Sequence, residues 1–315
     1  MSTDGYLFAH FREDPDGYAE RIHFSLSDAD TVLRWTPLHG GQPVLTSDIG
    51  TTGVRDPAIV RGVDGRFHIL ATDLRIFGGD DLGWEMWRRH GSRNLIIWDS
   101  DDLIEWSRPR SVEVAPRTAG MAWAPEVDLD PSTGENVVFW SSTLYAPDDP
   151  DHIEDSYSRI LMARTQDFVT FSPAEIMIDA GIDIIDTAVA RSGGRTSRFS
   201  KHEDSGGSSR GVYQEVGSSL LADDFQTVVQ NVGSVVHRDL EAPIIVRDVA
   251  DGRWYLLLDR YGSAQGYIAF VSDDLHSGHW EPVPAEVMGI PSATKHGTIL
   301  RVSGAEWERL RVHSF

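Results

Sequence analysis

The sequence predicts an all-β fold: a five-bladed β-propeller with four antiparallel strands per blade. Two recurrent elements predict it. The first is an ionisable residue at the head of an apolar run that a turn folds back on itself. Val54-Arg55-Asp56-Pro57-Ala58-Ile59-Val60 leads through a turn containing Gly62 and Gly65 into the apolar residues 67–71. The same phrase opens at Glu126, Asp186, Glu241 and His296, at intervals of 70, 60, 55 and 55 residues. The second element is an acidic turn after a strand-like run, in Ser100-Asp101-Asp102-Leu103, Thr165-Gln166-Asp167-Phe168, Ala222-Asp223-Asp224-Phe225 and Ser272-Asp273-Asp274-Leu275, with a shorter copy at Ser27-Asp28. Short runs rich in Val, Ile, Phe, Tyr and Trp, bounded by Gly, Asp, Pro and Ser, are strands. Four-stranded units repeated radially make a propeller.

Taken in order, residues 22–26 form a strand before the Ser27-Asp28 turn. The next unit has strands at 54–60, 67–71 and 94–98, and its acidic turn ends in Trp106. The third has them from 126, at 136–140 and at 159–163; the fourth at 186–189, 196–199 and 217–221; the fifth at 241–246, 254–258 and 267–271. Residues 296–302 supply an inner strand for the blade that residues 6–36 begin. Pairing the two ends of the chain in one blade leaves no open sheet edge. Residues 75–93 and 146–158 are expected as loops, residues 192–211 as a loop around one strand, and only residues 305–310 as a helical turn. An isolated blade would expose both faces, so residues 1–315 are expected to form one domain.

The formal net charge of −21 repels polyanions, so nucleic acid and anionic membrane are not expected partners, whereas a neutral sugar meets no penalty. The absence of cysteine excludes disulfides, thiolate metal sites and a Cys nucleophile. The opening Met1-Ser2-Thr3-Asp4-Gly5 lacks the basic and apolar regions of a leader, and no apolar run nears the ~18 residues of a membrane span. The expected location is the cytoplasm.

The inner strands of a propeller run the same way, so their starts meet at one mouth. Asp56, Glu126, Asp186, Glu241 and His296 are therefore expected around one pocket, with Asp73, Ser142, Lys201 and Arg260 added by the ends of the second strands. A lone Asp-Pro or Glu-Ala-Pro before a strand is a turn signal and nothing more. Recurrence in phase favours a ligand-binding or catalytic ring. Four crowded carboxylates cannot all stay ionised, which yields a protonated acid beside an ionised base. Glycoside hydrolysis uses that pair. Among ten tryptophans, Trp98, Trp106, Trp140, Trp254 and Trp280 belong in the core, Trp123 at the pocket, and Trp84 and Trp87 on a loop beside it. Lys201 and Arg260 either bind sugar hydroxyls or pair with the carboxylates.

The set Arg55-Asp56-Pro57, Trp123-Ala124-Pro125-Glu126, Ile185-Asp186, Glu241-Ala242-Pro243 and Lys295-His296-Gly297 resembles the blade motifs of glycoside hydrolase family 43, over residues 6–310. The resemblance implies a five-bladed propeller that cleaves α-L-arabinofuranosides or β-D-xylosides with inversion. It implies Asp56 as general base, Glu241 as general acid, and Asp186 as the residue that orients Glu241 and keeps it protonated. Glu126 stands where the family often has Asp, and takes a pocket role without a catalytic one. His296 matches an axial histidine near a central water or metal ion. A single His without a set of oxygen ligands is a poor Ca²⁺ signature, so a hydrogen-bonded axial His is expected and no cofactor is required. The expected activity is an inverting exo-acting glycosidase on short oligosaccharides, foremost an α-L-arabinofuranosidase. The alternatives are a β-D-xylosidase, a β-D-galactofuranosidase or a carbohydrate-binding propeller without turnover.

Overall fold

In a computed structural model of the chain, residues 4–13, 18–28, 31–79, 82–203, 211–261 and 266–314 are described. The chain enters through β1 (Gly5–Arg12), β2 (His23–Ser27) and β3 (Trp35–Pro37). The first complete blade holds β4 (Val54–Arg61), β5 (Phe67–Asp73), β6 (Asn94–Ser100) and β7 (Arg110–Glu113), with helix α1 (Gly83–His90) between β5 and β6. The second holds β8 (Trp123–Asp130), β9 (Glu135–Thr143), β10 (Ser158–Thr165) and β11 (Glu175–Ile178). The third holds β12 (Ile184–Ser192), β13 (Arg195–His202), β14 (Gly211–Gly217) and β15 (Gln226–Val232), and the fourth β16 (Leu240–Arg247), β17 (Trp254–Arg260), β18 (Tyr267–Ser272) and β19 (Glu281–Pro282). Strand β20 (Thr294–Val302) returns to the first sheet, which runs β20-β1-β2-β3, and helix α2 (Gly304–His313) follows it.

All five sheets have four antiparallel strands, as the sequence predicts. The closing blade joins the chain ends in the expected way: β20 pairs with β1 from Gly5↔Val302 to His10↔Gly297. Buried apolar side chains fall into five clusters, one between each pair of neighbouring blades. Leu70, Ile97, Val138 and Trp140 fill the gap between the first and second blades, and Phe199, Val212, Leu256 and Phe270 that between the third and fourth. Between the fourth and closing blades lie Phe8, Trp35, Ile244 and Leu257. Burying a side chain of this size contributes roughly 1.5–3 kcal/mol, and each blade collects it on both faces. Trp98 and Trp140 are fully buried; Trp106, Trp254 and Trp280 are half-buried against the same clusters.

Three local expectations need correction. Residues 75–93 hold a helix as well as a loop. Helix α1 has only eight residues, too few for a helical period to stand out in the sequence, and tertiary contacts hold it. Trp87 is buried, Arg88 bonds Ser158 and Asp183, and the Arg88 carbonyl accepts from Thr143 Oγ1 at 2.7 Å. Helix α2 spans ten residues, not a single turn, and opens on a capping box between Ser303 and Glu306. Its Leu310 and Trp307 pack on the closing blade, while Glu306 pairs with Arg61 at 3.0 Å. In the third blade the third strand is β14, not residues 217–221. The Ser218 N–H donates to Asp224 at 2.9 Å, so the acidic turn already begins at Ser218. Of the expected loop at 192–211, residues 195–202 are β13, while 204–210 lie outside the described residues. Among the described residues no helix is long and apolar enough to cross a membrane.

Candidate active site

Each inner strand carries a bulge near its start, with two residues opposite one on the neighbouring strand. In β4, Arg55 faces Thr72 and Ala58 faces Leu70, so Asp56 and Pro57 are the extra pair. The extra pairs elsewhere are Ala124 and Pro125, Asp186 and Thr187, and Ala242 and Pro243. In β20, Lys295 and His296 oppose Phe11. The first residue of the pair is left-handed in four blades: Asp56 at φ 49°, Ala124 at 49°, Asp186 at 52° and Ala242 at 52°. Non-glycine residues reach this region at a cost, least for Asp and Asn. A bulge bends the strand and re-aims its side chains.

The register corrects the expectation that all five ionisable groups share one phase. Only Asp56 and Asp186 occupy equivalent positions. Glu241 stands one place earlier, level with Arg55, Trp123 and Ile185; Glu126 stands after the bulge, level with Ala58; His296 is the second bulge residue. Counting along the chain aligned the motifs to within two residues, because a bulge lets side chains from neighbouring positions face the same axis.

His296 brings the set together. Its Nδ1 lies 3.6 Å from Asp56 Oδ1 and 3.9 Å from Asp186 Oδ1. Hydroxyls and amides then stitch one blade to the next around the mouth. Thr298 Oγ1 accepts from the Ile59 N–H at 2.7 Å. Thr72 Oγ1 donates to Asp56 Oδ2 and accepts from the Ala124 N–H, both at 2.8 Å. Ser141 Oγ accepts from the Asp186 N–H at 3.1 Å, and Asp186 Oδ2 accepts from the Ala242 N–H at 3.3 Å. Asp186 thus touches the residue that follows Glu241. On the other side of Glu241, Lys201 Nζ donates to Oε2 at 2.7 Å.

As the sequence requires, crowding raises some of these pKa values. Burial, with the Asp128 and Asp186 charges in support, pushes Glu126 up to about 8, although its side chain is only half-buried. Burial and the Glu241 charge raise Asp186 well above the carboxylate range. Glu241 goes the other way. Burial would raise it, but the Lys201 ammonium, supported by Lys295 and His296, holds it below its usual value. The two carboxyl groups are thus pushed in opposite directions, Asp186 up and Glu241 down, with the lysine bonded to the Glu241 side. Burial also lowers His296 against the pull of Asp56 and Glu241.

The remaining predicted residues divide. Lys201 is buried and bonds Glu241 and Glu203, its ammonium 4.0 Å from the Tyr261 ring, so of its two expected roles the structure shows pairing with carboxylates. Asp73 is a loop anchor instead of a rim ligand: it is buried and accepts from Thr51 N and Oγ1 at 2.7 and 2.8 Å and from Ser92 Oγ at 2.7 Å. A side chain at Gly50 would strike its carboxylate, which explains the glycine. Ser142 Oγ likewise turns away, donating to the Met121 carbonyl at 2.7 Å. Arg260 Nε donates to the Gly266 carbonyl at 3.0 Å. Trp123 is half-buried, its indole Nε1 without a hydrogen-bond partner among the described residues, and Trp84 of α1 stands 6.0 Å from it edge-on, half exposed.

Sequence reasoning missed three participants. Arg55 is buried beside Asp56 and pairs with Glu13 at 3.2 Å and Glu20 at 3.4 Å. Lys295 meets Asp259 at 2.9 Å, and Glu203 meets Lys201. Arg55 and Lys295 each adjoin a residue already singled out, which was the available signal; Glu203 had none. Among the described residues no group of three or more His, Asp and Glu is disposed to hold a metal ion.

A family model described as "Probable glycosyl hydrolase domain", of the family-43-related type, matches residues 2–308. The chain belongs to the family-43-related glycosyl hydrolases. An α-L-arabinofuranosidase of Bifidobacterium longum is 30% identical to this chain over 230 residues, which are 69% of the chain and 21% of the relative. The chain therefore spans about a fifth of the curated relative's length. Among solved structures, a GH43 β-1,3-galactosidase with galactodeoxynojirimycin superposes with a TM-score of 0.63 at 13% identity, covering 90% of this chain and 92% of that one. An endo-1,4-β-xylanase of Bacteroides thetaiotaomicron gives a TM-score of 0.58 at 10% identity, with 93% of each chain covered. At such identities the likeness is one of fold.

Proposed function

We propose that this glycoside hydrolase is an inverting, exo-acting enzyme in which Asp56 is the general base, Glu241 the general acid and Asp186 the residue that supplies and orients the acid's proton. The observation that carries this reading is the grouping of Asp56 and Asp186 around His296, with Glu241 beside the Ala242 amide that Asp186 holds. Thr72 fixes one oxygen of Asp56 and leaves the other toward His296, an arrangement suited to taking a proton from an attacking water. Asp56 and Glu241 come from the first and fourth blades, which are not neighbours in the ring. Inversion needs about 6.5–9.5 Å between the two carboxyl groups to admit water, and blades that are not neighbours can hold them that far apart.

The substrate we favour is a short oligosaccharide ending in α-L-arabinofuranose, on the strength of the Bifidobacterium relative. The test is hydrolysis of aryl α-L-arabinofuranoside, β-D-xyloside, β-D-galactofuranoside and β-D-galactoside by the purified protein, with anomeric configuration followed by NMR. Turnover of the arabinofuranoside above the others, with inverted product, is expected. Turnover of none would refute the reading, and a retained configuration would refute the roles of Asp56 and Glu241.

A further inference from the structure

A general acid needs a proton, yet Glu241 is ion-paired. Lys201 Nζ lies 2.7 Å from Glu241 Oε2, and the only other ion pair that the ammonium makes among the described residues is with Glu203. The lysine is buried between these two carboxylates and rides over the Tyr261 ring at 4.0 Å. Glu203 has a side-chain exposure of 35% and Glu241 of 22%. Glu203 is therefore a counter-ion at the solvent side of the lysine, and Glu241 one at the side of the mouth. An ammonium that already touches both can lose one partner without being left as an unpaired buried charge, which is a costly state.

We propose that Lys201 is a positioning residue exchanged between Glu241 and Glu203 during turnover, so that Glu241 takes up the proton it delivers only while Glu203 holds the ammonium. This rests on the reading of Glu241 as the general acid. Lys201 stays an ammonium throughout. When substrate enters and Lys201 shifts to Glu203, the proton of the buried pair passes from Asp186 to Glu241, leaving Asp186 ionised. Glu241 gives that proton to the glycosidic oxygen as the C–O bond breaks, and Asp56 takes one from the water that attacks the anomeric carbon. The leaving sugar departs as an alcohol. Lys201 returns to the new Glu241 carboxylate, and the proton on Asp56 goes back through solvent to Asp186.

The charged groups facing this exchange are few. Glu241 is surrounded by Lys201 from β13, Asp186 from β12, Asp259 from β17, Lys295 and His296 from β20, and Arg55 from β4. Lys201 faces Glu241, Glu203 and Asp186, with Tyr261 beneath it, and Asp239 borders Tyr261. The pull of Lys201 lowers the Glu241 pKa, while burial and the Glu241 charge raise that of Asp186.

The test compares two glycosides of whichever sugar the parent enzyme hydrolyses, one with a methyl and one with a dinitrophenyl leaving group. Only the methyl glycoside needs a proton to depart. Glu203→Gln is expected to lower kcat/KM for the methyl glycoside tenfold or more, to leave the dinitrophenyl glycoside within twofold, and to move the alkaline limb of the pH profile down. An equal fall for both substrates, or no fall, overturns the proposal, because a structural role would not depend on the leaving group. If Glu203→Gln does not fold, Glu203→Asp reports the same dependence at smaller size, and a fall independent of the leaving group again overturns it. Glu241→Gln on the same pair separates the two readings. If that variant shows no leaving-group dependence, the acid assignment fails and this proposal falls with it; if it does and Glu203→Gln does not, this proposal alone fails.

Discussion

Two sets of repeated acidic residues run through this chain, one in the outer turns of the blades and one at the mouth, and the structure treats them in opposite ways. In the outer set, Asp102 Oδ1 accepts the N–H groups of Ile104 and Glu105, both at 2.9 Å. Asp167 Oδ1 accepts those of Val169 and Thr170 at 2.9 and 2.8 Å, and Asp274 Oδ1 that of His276 at 2.9 Å. These bonds favour the ionised form, so backbone donors, from Glu105 first for Asp102 and Thr170 first for Asp167, hold the pKa values below the usual range. The turns also bury Leu103 and Phe168 in left-handed conformations, pinning blade to blade. At the mouth, by contrast, Asp186 and Glu126 lose water and gain like-charged neighbours, and their pKa values rise. Recurrence along the chain does not distinguish a turn from a site. What distinguishes them is whether a carboxylate faces amides or other carboxylates.

Substitutions of Asp56 and Glu241 should act on rate, and those in the turns on stability. The largest effect is expected from Asp56→Asn, with kcat lowered roughly 10²–10⁴-fold for good and poor leaving groups alike, since the attacking water loses its base in either case. Glu241→Gln should fall by a similar factor on poor leaving groups only. Steady-state kinetics on both substrates checks this, and an equal response of the two variants would erase their proposed division of labour.

Next comes Glu126. A carboxyl whose pKa is raised in the folded state binds its proton more tightly there than in the unfolded chain. Stability is therefore drained as pH rises from the ordinary value of 4.5 to about 8, and is level beyond. Glu126→Gln, a neutral mimic, should be nearly silent near pH 4 and should stabilise increasingly toward pH 8, by up to a few kcal/mol on the scale of ~1.4 kcal/mol per pKa unit. Thermal melts across that range would show it; a gain independent of pH would mean that packing, not ionisation, sets the difference.

The smallest effect is expected in the turns. Asp102→Ala removes an acceptor from two amides near the surface, and should cost about 1 kcal/mol or less while leaving kcat unchanged. Its sign with pH is opposite to that of Glu126. The pKa is depressed, so the stabilisation is present above the unfolded value and lost as pH falls through the folded one. Denaturant melts at neutral pH and near pH 2 would show the difference shrink in acid. A loss of activity in Asp102→Ala would break the comparison between the two sets.

The sequence by itself determined the number of blades, the closure of the ring by β20 on β1, and the residues that gather at the mouth. Strand patterning is local, and a repeated unit repeats its errors as faithfully as its signal, so the count survives misplaced boundaries such as that of β14. The site was legible as far as residue types at intervals can carry it: Asp56, Asp186, Glu241 and His296 do converge. What only the tertiary structure decided is how they differ. The bulges put Asp56 and Asp186 in one register and Glu241 in another, and the Lys201 ammonium holds Glu241 low while Asp186 rises. Asp73, a mouth candidate by position, is spent on Thr51 and Ser92. The physical reason is common to all three. A pKa, a bulge and a hydrogen-bond partner depend on neighbours tens or hundreds of residues away, and no window along the chain contains them.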